Sequence, residues 1–200
     1  MPSRRVDSDT AIHRSRRVQL IEAAIEVIAD VGAERATISR IADHADVSRG
    51  VVTYHFRDRA TLFGAVVGHV YDLAHAALDD RVNQATSSRV SLREFITGSL
   101  DFYAQHAGAM TALSAIYRLP DMSRSQRAEH QTEMSDVADI LAAGMASGEF
   151  RRCDIQVMAA TIRAGLDAAL TRIRAGADVE HEKTEMWSLV DAATRADAPR

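Results

Sequence analysis

Apolar residues recur along most of this chain every three or four positions, which is the spacing of one face of an α-helix. The first such segment covers residues 14–31 and is followed by Gly32, a residue type that commonly ends helices. The same spacing returns in the segments 61–85, 91–106, 109–119, 121–147, 154–175 and 179–195. No segment alternates apolar and polar residues as a half-buried strand does. The pattern therefore predicts an all-α protein.

Two shorter apolar patterns lie between residues 37 and 56, separated by a tight turn at Asp46 and Val47. Thr37 is expected to cap the first short helix and Ser48 the second, because hydroxyl side chains accept hydrogen bonds from free N–H groups. The apolar side of the second helix consists of Val51, Val52 and Phe56, and its outward side of Arg49, Gly50, Thr53, Tyr54 and His55. A slim, donor-rich second helix after a tight turn is typical of a helix-turn-helix that binds DNA.

The residue types on this outward side suit contacts with DNA. Arg49 can contact a guanine edge or a phosphate, and Thr53 can place a methyl group on thymine. Arg16 and Arg17 stand at the predicted start of the first helix, where cations oppose the helix dipole, so contact with phosphates explains them better than fold stability does. We therefore predict DNA contacts from Arg16, Arg17, Thr37, Ser48, Arg49, Gly50, Thr53, Tyr54, His55 and Arg59.

The same segment resembles the DNA-binding domain of the tetracycline-repressor (TetR) family. The matching positions are Thr37-Ile38, Ile41-Ala42, Val47-Ser48, Gly50, Tyr54-His55-Phe56, Arg59 and Leu62. One departure is Asp46, where the family often has glycine. The resemblance implies about nine helices: a flexible arm (1–13), a helix-turn-helix domain (14–60) and a ligand-binding and dimerisation domain (61–200). It also implies a homodimeric regulator, most commonly a repressor, that a small molecule releases from a palindromic operator in double-stranded DNA.

Two sets of apolar residues in the later helices are candidates for the effector pocket and the dimer interface. Aromatic residues and methionines with a few polar groups predict a pocket for a hydrophobic small molecule, lined by Phe102, Tyr103, His106, Met110, Leu113, Tyr117, Met134 and Arg163. The last two helices predict an interface formed by Ile155, Ala159, Ile162, Leu166, Ala169, Ile173, Met186, Leu189 and Val190. In both sets the alternative is that the residues only fill the core of one chain.

Composition narrows the class of protein further. The net charge is −4, with +1 on residues 1–60 (ten Arg against nine Asp or Glu) and −5 on the remainder. The single cysteine, Cys153, excludes an internal disulfide, and without an apolar run of membrane-spanning length we expect a cytoplasmic protein. No catalytic, cofactor or metal-binding motif is present, so neither an enzyme nor a metal or cofactor is expected. The alternatives are a helical ligand- or protein-binding module without sequence-specific DNA binding and, with no motif in support, an all-α enzyme.

Overall fold

The computed structural model describes residues 3–120 and 135–196, with side chains from residue 13 and, in the second stretch, from residue 137. These residues form nine helices: α1 Ser3–Val31, α2 Ile38–His44, α3 Arg49–His55, α4 Arg59–Asn83, α5 Ser88–Gln105, α6 Ala107–Tyr117, α7 Ser135–Ser147, α8 Ile155–Arg174 and α9 Val179–Thr194. One isolated antiparallel bridge joins Phe150 and Arg195. The prediction of an all-α protein with about nine helices is confirmed.

The helices pack into two compact units. The first comprises the described residues of 1–72 and 108–123, and the second those of 73–107 and 124–200. In the first unit α1, α2 and α3 pack on one another around side chains with no exposed surface, namely Leu20, Ile28, Ile41, Val52 and Phe56. In the second unit α5 packs against α7, α8 and α9, around Leu92, Ile96, Leu100, Leu141, Ile162 and Leu166. The functional boundary predicted after residue 60 remains a prediction.

The first helix starts earlier than its predicted position at residue 14. It begins at Ser3 and takes in most of the segment predicted as a flexible arm. Neither glycine nor proline interrupts the chain between Ser3 and Val31, so nothing in the covalent chain breaks the helix. Arg16 and Arg17 consequently lie near the middle of α1, and their charges do not face the helix dipole at an N-terminus.

The long helix α4 begins two residues before the predicted start at Thr61. The Asp58 carboxylate accepts hydrogen bonds from the backbone N–H and the hydroxyl of Thr61, both at 2.8 Å. This is the geometry of an N-terminal cap. The bond from the Thr61 backbone N–H contributes most to lowering the pKa of Asp58 to about 2.

The helix α5 begins three residues before the predicted start at residue 91. Ser87 accepts a hydrogen bond from the backbone N–H of Val90 at 3.3 Å, so the helix begins at Ser88. Ser91 instead donates to the carbonyl of Val82 at 2.8 Å. Ser91, where the apolar pattern starts the predicted segment, therefore does not cap the helix, because the end of α4 supplies the partner for its hydroxyl.

The later helix ends agree more closely with the sequence pattern. Asp154 caps α8 by accepting from the backbone N–H of Val157 at 3.0 Å. Gly148 and Gly176 follow α7 and α8 with φ of +80° and +95°, the left-handed region in which glycine carries no steric cost. The predicted start of the α7 segment at residue 121 lies outside the described residues.

Candidate DNA-binding surface and effector region

The turn between α2 and α3 is a Schellman motif. The Val47 N–H donates to the carbonyl of Ala42 at 3.0 Å, and the Asp46 N–H donates to that of Asp43 at 3.2 Å. Asp46 adopts φ +52° and is the one non-glycine residue of the described chain with positive φ. The motif sets the direction in which α3 leaves α2. It places an aspartate where helices most often have glycine.

The helix α3 has one buried and one exposed side. Val52 and the C-terminal capping residue Phe56 have no exposed surface. The outward side contains the predicted residues Arg49, Gly50, Thr53 and Tyr54, with Tyr54 73% exposed, and His55 is half-buried beside them. A β-carbon at Gly50 would meet only the Ser48 hydroxyl, at 3.6 Å. The glycine is therefore not required by packing within the chain, and it keeps this side of the helix slim.

The three predicted hydroxyl contacts differ in what they do within the protein. Thr37 caps α2 as predicted, accepting from the backbone N–H of Arg40 at 3.3 Å. Ser48 occupies the N-cap position of α3, but its side chain makes no capping hydrogen bond, so that prediction is wrong. The Thr53 hydroxyl donates to the carbonyls of Arg49 and Gly50 at 3.2 Å. Its methyl group is thus the part suited to an outside contact.

Two of the arginines predicted to contact DNA also hold the first unit together. Arg17 donates to the carbonyl of His55 at 3.1 Å, and its guanidinium lies 4.3 Å from the ring centre of Phe56. Arg59 donates to the carbonyls of Ala33 and Glu34 at 3.4 and 3.2 Å. These bonds attach α1 to the end of α3, and the start of α4 to the loop after α1. Arg16 is exposed on α1.

His13 lies at the same surface and was absent from the predicted set. Its ring centre is 5.9 Å from that of Tyr54 and 5.8 Å from that of His55. Partial burial, followed by the nearby His13, Arg17 and Arg16, lowers the pKa of His55 below its usual value. The sequence pattern does not indicate His13, because residues 1–13 are predicted as a flexible arm. The available signal was its position three residues before Arg16 on the same helix.

The predicted effector residues fall in both compact units. In the second unit Phe102 and Tyr103 are buried, and the ring of His106, which caps α5, lies 4.5 Å from that of Phe102. Burial raises the pKa of Tyr103 above its usual value, and the Arg163 charge partly opposes that rise. Arg163 also lies 3.6 Å from the Asp167 carboxylate.

In the first unit the predicted effector residues are Met110, Leu113 and Tyr117. Met110 and Leu113 are buried, and the hydroxyl of Tyr117 lies 2.8 Å from that of Tyr71. Met134 lies outside the described residues. The common pocket stays a prediction.

Most residues of the predicted dimer interface face the core of their own chain. The buried members are Ala159, Ile162, Leu166, Ala169, Met186 and Val190. A β-carbon at Gly165 would lie 2.5 Å from the Met186 methyl, so the small residues of α8 accommodate α9 of the same chain. This corrects the prediction that these side chains contact a second subunit. Ile155 and Ile173 are half-buried, and Leu189 is 66% exposed.

Comparison with known proteins bears directly on the helix-turn-helix. Residues 20–66 match the model of the bacterial regulatory proteins of the tetR family. The chain is 31% identical over 144 residues to the HTH-type transcriptional regulator BetI of Pectobacterium atrosepticum, covering 69% of each protein. It is 32% identical over 143 residues to BetI 1 of Chromohalobacter salexigens, covering 69% of this chain and 66% of that relative. The chain belongs to the TetR family.

Solved structures of TetR-family regulators share the fold of most of the chain. FadR of Bacillus subtilis, solved in complex with stearoyl-CoA, superposes with a TM-score of 0.78 at 19% identity, covering 86% of this chain and 96% of that one. The ketosteroid transcriptional regulator KstR2 of Mycobacterium tuberculosis superposes with a TM-score of 0.73 at 19% identity, covering 91% and 96%. At this identity the likeness concerns the fold.

Membership of the TetR family assigns the chain to transcriptional regulators and not to enzymes. Within residues 3–120 and 135–196, His, Cys, Asp and Glu side chains nowhere form a group that could hold a metal ion. In the same stretches, no helix has the length and apolar composition needed to cross a membrane.

Proposed function

We propose that this TetR-family protein is a ligand-responsive transcriptional repressor that places α3 in the major groove of an operator. The proposal rests above all on the outward side of α3, where Arg49, Gly50, Thr53 and Tyr54 are exposed around a helix that Val52 and Phe56 anchor. A largely exposed tyrosine on a short helix that buried side chains hold in place suits contact with a groove or a phosphate. We place the protein in the cytoplasm, where its DNA would lie.

Selection of bound duplexes from a random pool, at about 150 mM salt, tests DNA recognition because non-specific binding weakens steeply with salt. We expect one enriched sequence. Arg49→Ala should relax the preference at one base position at a cost of about 1–3 kcal/mol. Tyr54→Ala should weaken binding to all duplexes. Arg93→Ala, at an exposed position of α5, serves as the control.

Uniform, weak retention of every duplex would contradict the proposal. It would favour the alternative of a helical module that binds a ligand or a protein without recognising a DNA sequence. Unchanged operator affinity in an Arg49→Ala, Tyr54→Ala double variant would show that another surface contacts the DNA.

We further propose a homodimer formed through the exposed sides of α8 and α9, which would bind the two halves of a palindromic operator. The supporting observation is a pair of exposed apolar side chains, Val157 at 64% on α8 and Leu189 at 66% on α9. Such side chains on adjacent helices suit an interface between subunits. A Val157→Arg, Leu189→Arg variant should sediment as a folded monomer and lose affinity for the palindrome.

Two controls separate the interface from the core. Val90→Arg, at an exposed valine of α5, should leave the dimer intact. Leu166→Arg should unfold the protein, because Leu166 has no exposed surface within its own chain. A monomeric unmodified protein would contradict the proposal.

The proposed effector is a mainly hydrophobic small molecule with one or two polar groups. Phe102 and Tyr103 would supply the apolar wall, and His106 and Arg163 the polar contacts. FadR of Bacillus subtilis, which shares this fold, was solved in complex with stearoyl-CoA, a molecule with a long hydrophobic acyl chain. A thermal-shift screen of acyl and aromatic compounds should find ligands that raise the melting temperature and release the selected duplex. Both effects should be weaker in Tyr103→Ala, and equal effects in that variant would place the ligand elsewhere.

A further inference from the structure

Three aromatic rings from two helices meet on the surface of the first unit. Tyr54 and His55 of α3 pack edge to face, with ring centres 5.2 Å apart, and His13 of α1 lies within 6 Å of both. His13 and Tyr54 are exposed, and His55 is half-buried. Arg17 donates to the His55 carbonyl and so fixes α1 against this end of α3. The three rings therefore keep a defined spacing at the side of the proposed recognition helix.

The charged groups around these rings are mainly cationic. The positive charges of Arg16 and Arg17 on α1 contribute to lowering the pKa of His55, and His13 adds a third positive charge when it is protonated. Two carboxylates of neighbouring segments are paired with other groups: Glu26 with His44 of α2 at 2.6 Å, and Asp58 with Arg57 at 3.0 Å. Asp46, in the turn before α3, is exposed. Asp9 precedes His13 by four residues along α1, and its side chain lies outside the described part of the chain. Protonation of His55 is thus opposed in the free protein by its partial burial and by the like charges around it.

We propose that His13 and His55 form a paired imidazole site for a backbone phosphate of DNA, and that binding at this site takes up protons. The inference rests on the proposed DNA-binding function and adds His13 to its contacts. Two imidazoles with ring centres 5.8 Å apart can both donate to one anion placed between them, and the Tyr54 hydroxyl is a third donor at the same place.

The direction of the pH dependence follows from the charge of the phosphate. A nearby anion favours the imidazolium, so the pKa of each histidine is higher in the complex than in the free protein. The added affinity is therefore complete below the free-protein pKa and is lost as pH rises through the pKa of the complex. In the free protein the pKa of His55 lies below its ordinary value of 6.5, so the loss begins in slightly acid solution. Each proton taken up can weaken binding by up to about tenfold per pH unit.

The test measures dissociation constants for the duplex selected from the random pool, by fluorescence anisotropy between about pH 5.5 and pH 8.5 at constant ionic strength. The proteins compared are the full chain, His13→Gln, His55→Gln and the double variant. His181→Gln, at an exposed position of α9, is the matched control. The chemical shifts of the ring protons, followed by NMR titration with and without the duplex, give the pKa of each histidine separately.

We expect the unmodified protein and His181→Gln to lose affinity by about tenfold or more per pH unit over part of this range. Each single substitution should make the dependence shallower, and the double variant should make it nearly flat while keeping its sequence preference. A scrambled duplex should give the same pH dependence with weaker binding, since phosphates carry no sequence information.

The outcomes separate this inference from the proposed function. The phosphate site would be refuted by sequence-specific binding without pH dependence, or by a pH dependence that remains in the double variant. Neither outcome would contradict the proposed regulatory function. An NMR titration in which DNA does not raise the pKa of His13 would overturn the phosphate site as well. Failure to select any duplex would refute the proposed function, and the inference with it.

Discussion

Asp46 offers the sharpest test of how the turn between α2 and α3 is built. Its φ of +52° is one that a residue with a β-carbon normally adopts at a cost of about 1–2 kcal/mol, less for aspartate and asparagine. Glycine would remove that cost but lose about 0.5–1 kcal/mol of backbone entropy on folding. Asp46→Gly should therefore change the free energy of unfolding by between zero and about 1 kcal/mol in favour of the folded state.

Two further substitutions at this position separate backbone strain from charge. Asp46→Asn keeps a side chain that tolerates the left-handed region, so it should be nearly neutral for stability. Asp46→Ala lacks local hydrogen bonding and should destabilise the protein by about 1 kcal/mol. Urea unfolding of the four proteins, followed by circular dichroism, measures these differences. Equal stability of Asp46→Ala and Asp46→Gly would refute the role assigned to the positive φ.

The chain contains its own comparison in the turn after α8. There the Ala177 N–H donates to the carbonyl of Arg172 and the Gly176 N–H to that of Ile173, which is the same Schellman motif with glycine at the left-handed position. Gly176→Ala should lower the free energy of unfolding by about 1–2 kcal/mol. A β-carbon there would have no neighbouring atom within 4 Å, so the cost comes from the left-handed backbone conformation alone. A neutral Gly176→Ala would show that these turns tolerate a β-carbon without strain.

The same variants report on the proposed DNA surface. Asp46 is exposed in the turn that leads into α3, so its charge should repel nearby phosphates. Asp46→Asn and Asp46→Gly should both tighten binding to the selected duplex, by roughly two- to fivefold at low salt and less at high salt. Tightening by Asp46→Gly alone would assign the effect to the turn geometry, and no tightening by either would place the turn away from the DNA.

Two predictions concern the stability of the second unit, and a substitution in the first unit serves as a control. Gly144→Ala should destabilise the protein by about 1–3 kcal/mol, because a β-carbon at Gly144 would lie 2.0 Å from the ring of Phe150. A β-carbon at Gly68 on α4 would have no atom within 4 Å, so Gly68→Ala should stabilise the protein by about 0.5–1 kcal/mol. If urea unfolding gave both variants a change in stability of the same sign, this packing would be refuted. The bond from Arg89 contributes most to lowering the pKa of the buried Asp191 to about 2, so its stabilisation is complete above about pH 4 and is lost as pH falls towards 2. Asp191→Asn should make the loss of stability over that interval smaller, and an unchanged acid dependence would contradict the ion pair.

Local sequence features predicted much of the fold and the position of the helix-turn-helix. Helical spacing of apolar residues, the Thr37 cap and the glycine at position 32 after α1 act within a few residues of one another. A local pattern is therefore sufficient to predict them. The exposed side of α3 followed from the same spacing, because burial of Val52 and Phe56 turns the intervening residues outward.

Contacts between distant segments were decided by the tertiary structure. Ser87 and Ser91 have the same capping chemistry, and the difference between them depends on the Val82 carbonyl at the end of another helix. Likewise, Arg17 and Arg59 can contact phosphates or backbone carbonyls, and only the positions of those carbonyls show which bonds form within the chain.

The helices α8 and α9 show the limit of the sequence most clearly. An apolar stripe at helical spacing has the same pattern whether it packs on its own chain or on a second subunit. The pattern therefore determined that these segments are amphipathic helices, while the packing of α9 on α8 turned Leu166 inward and left Leu189 exposed. The physical reason is that helix periodicity specifies which residues share a face, and only the arrangement of the other helices specifies what that face meets.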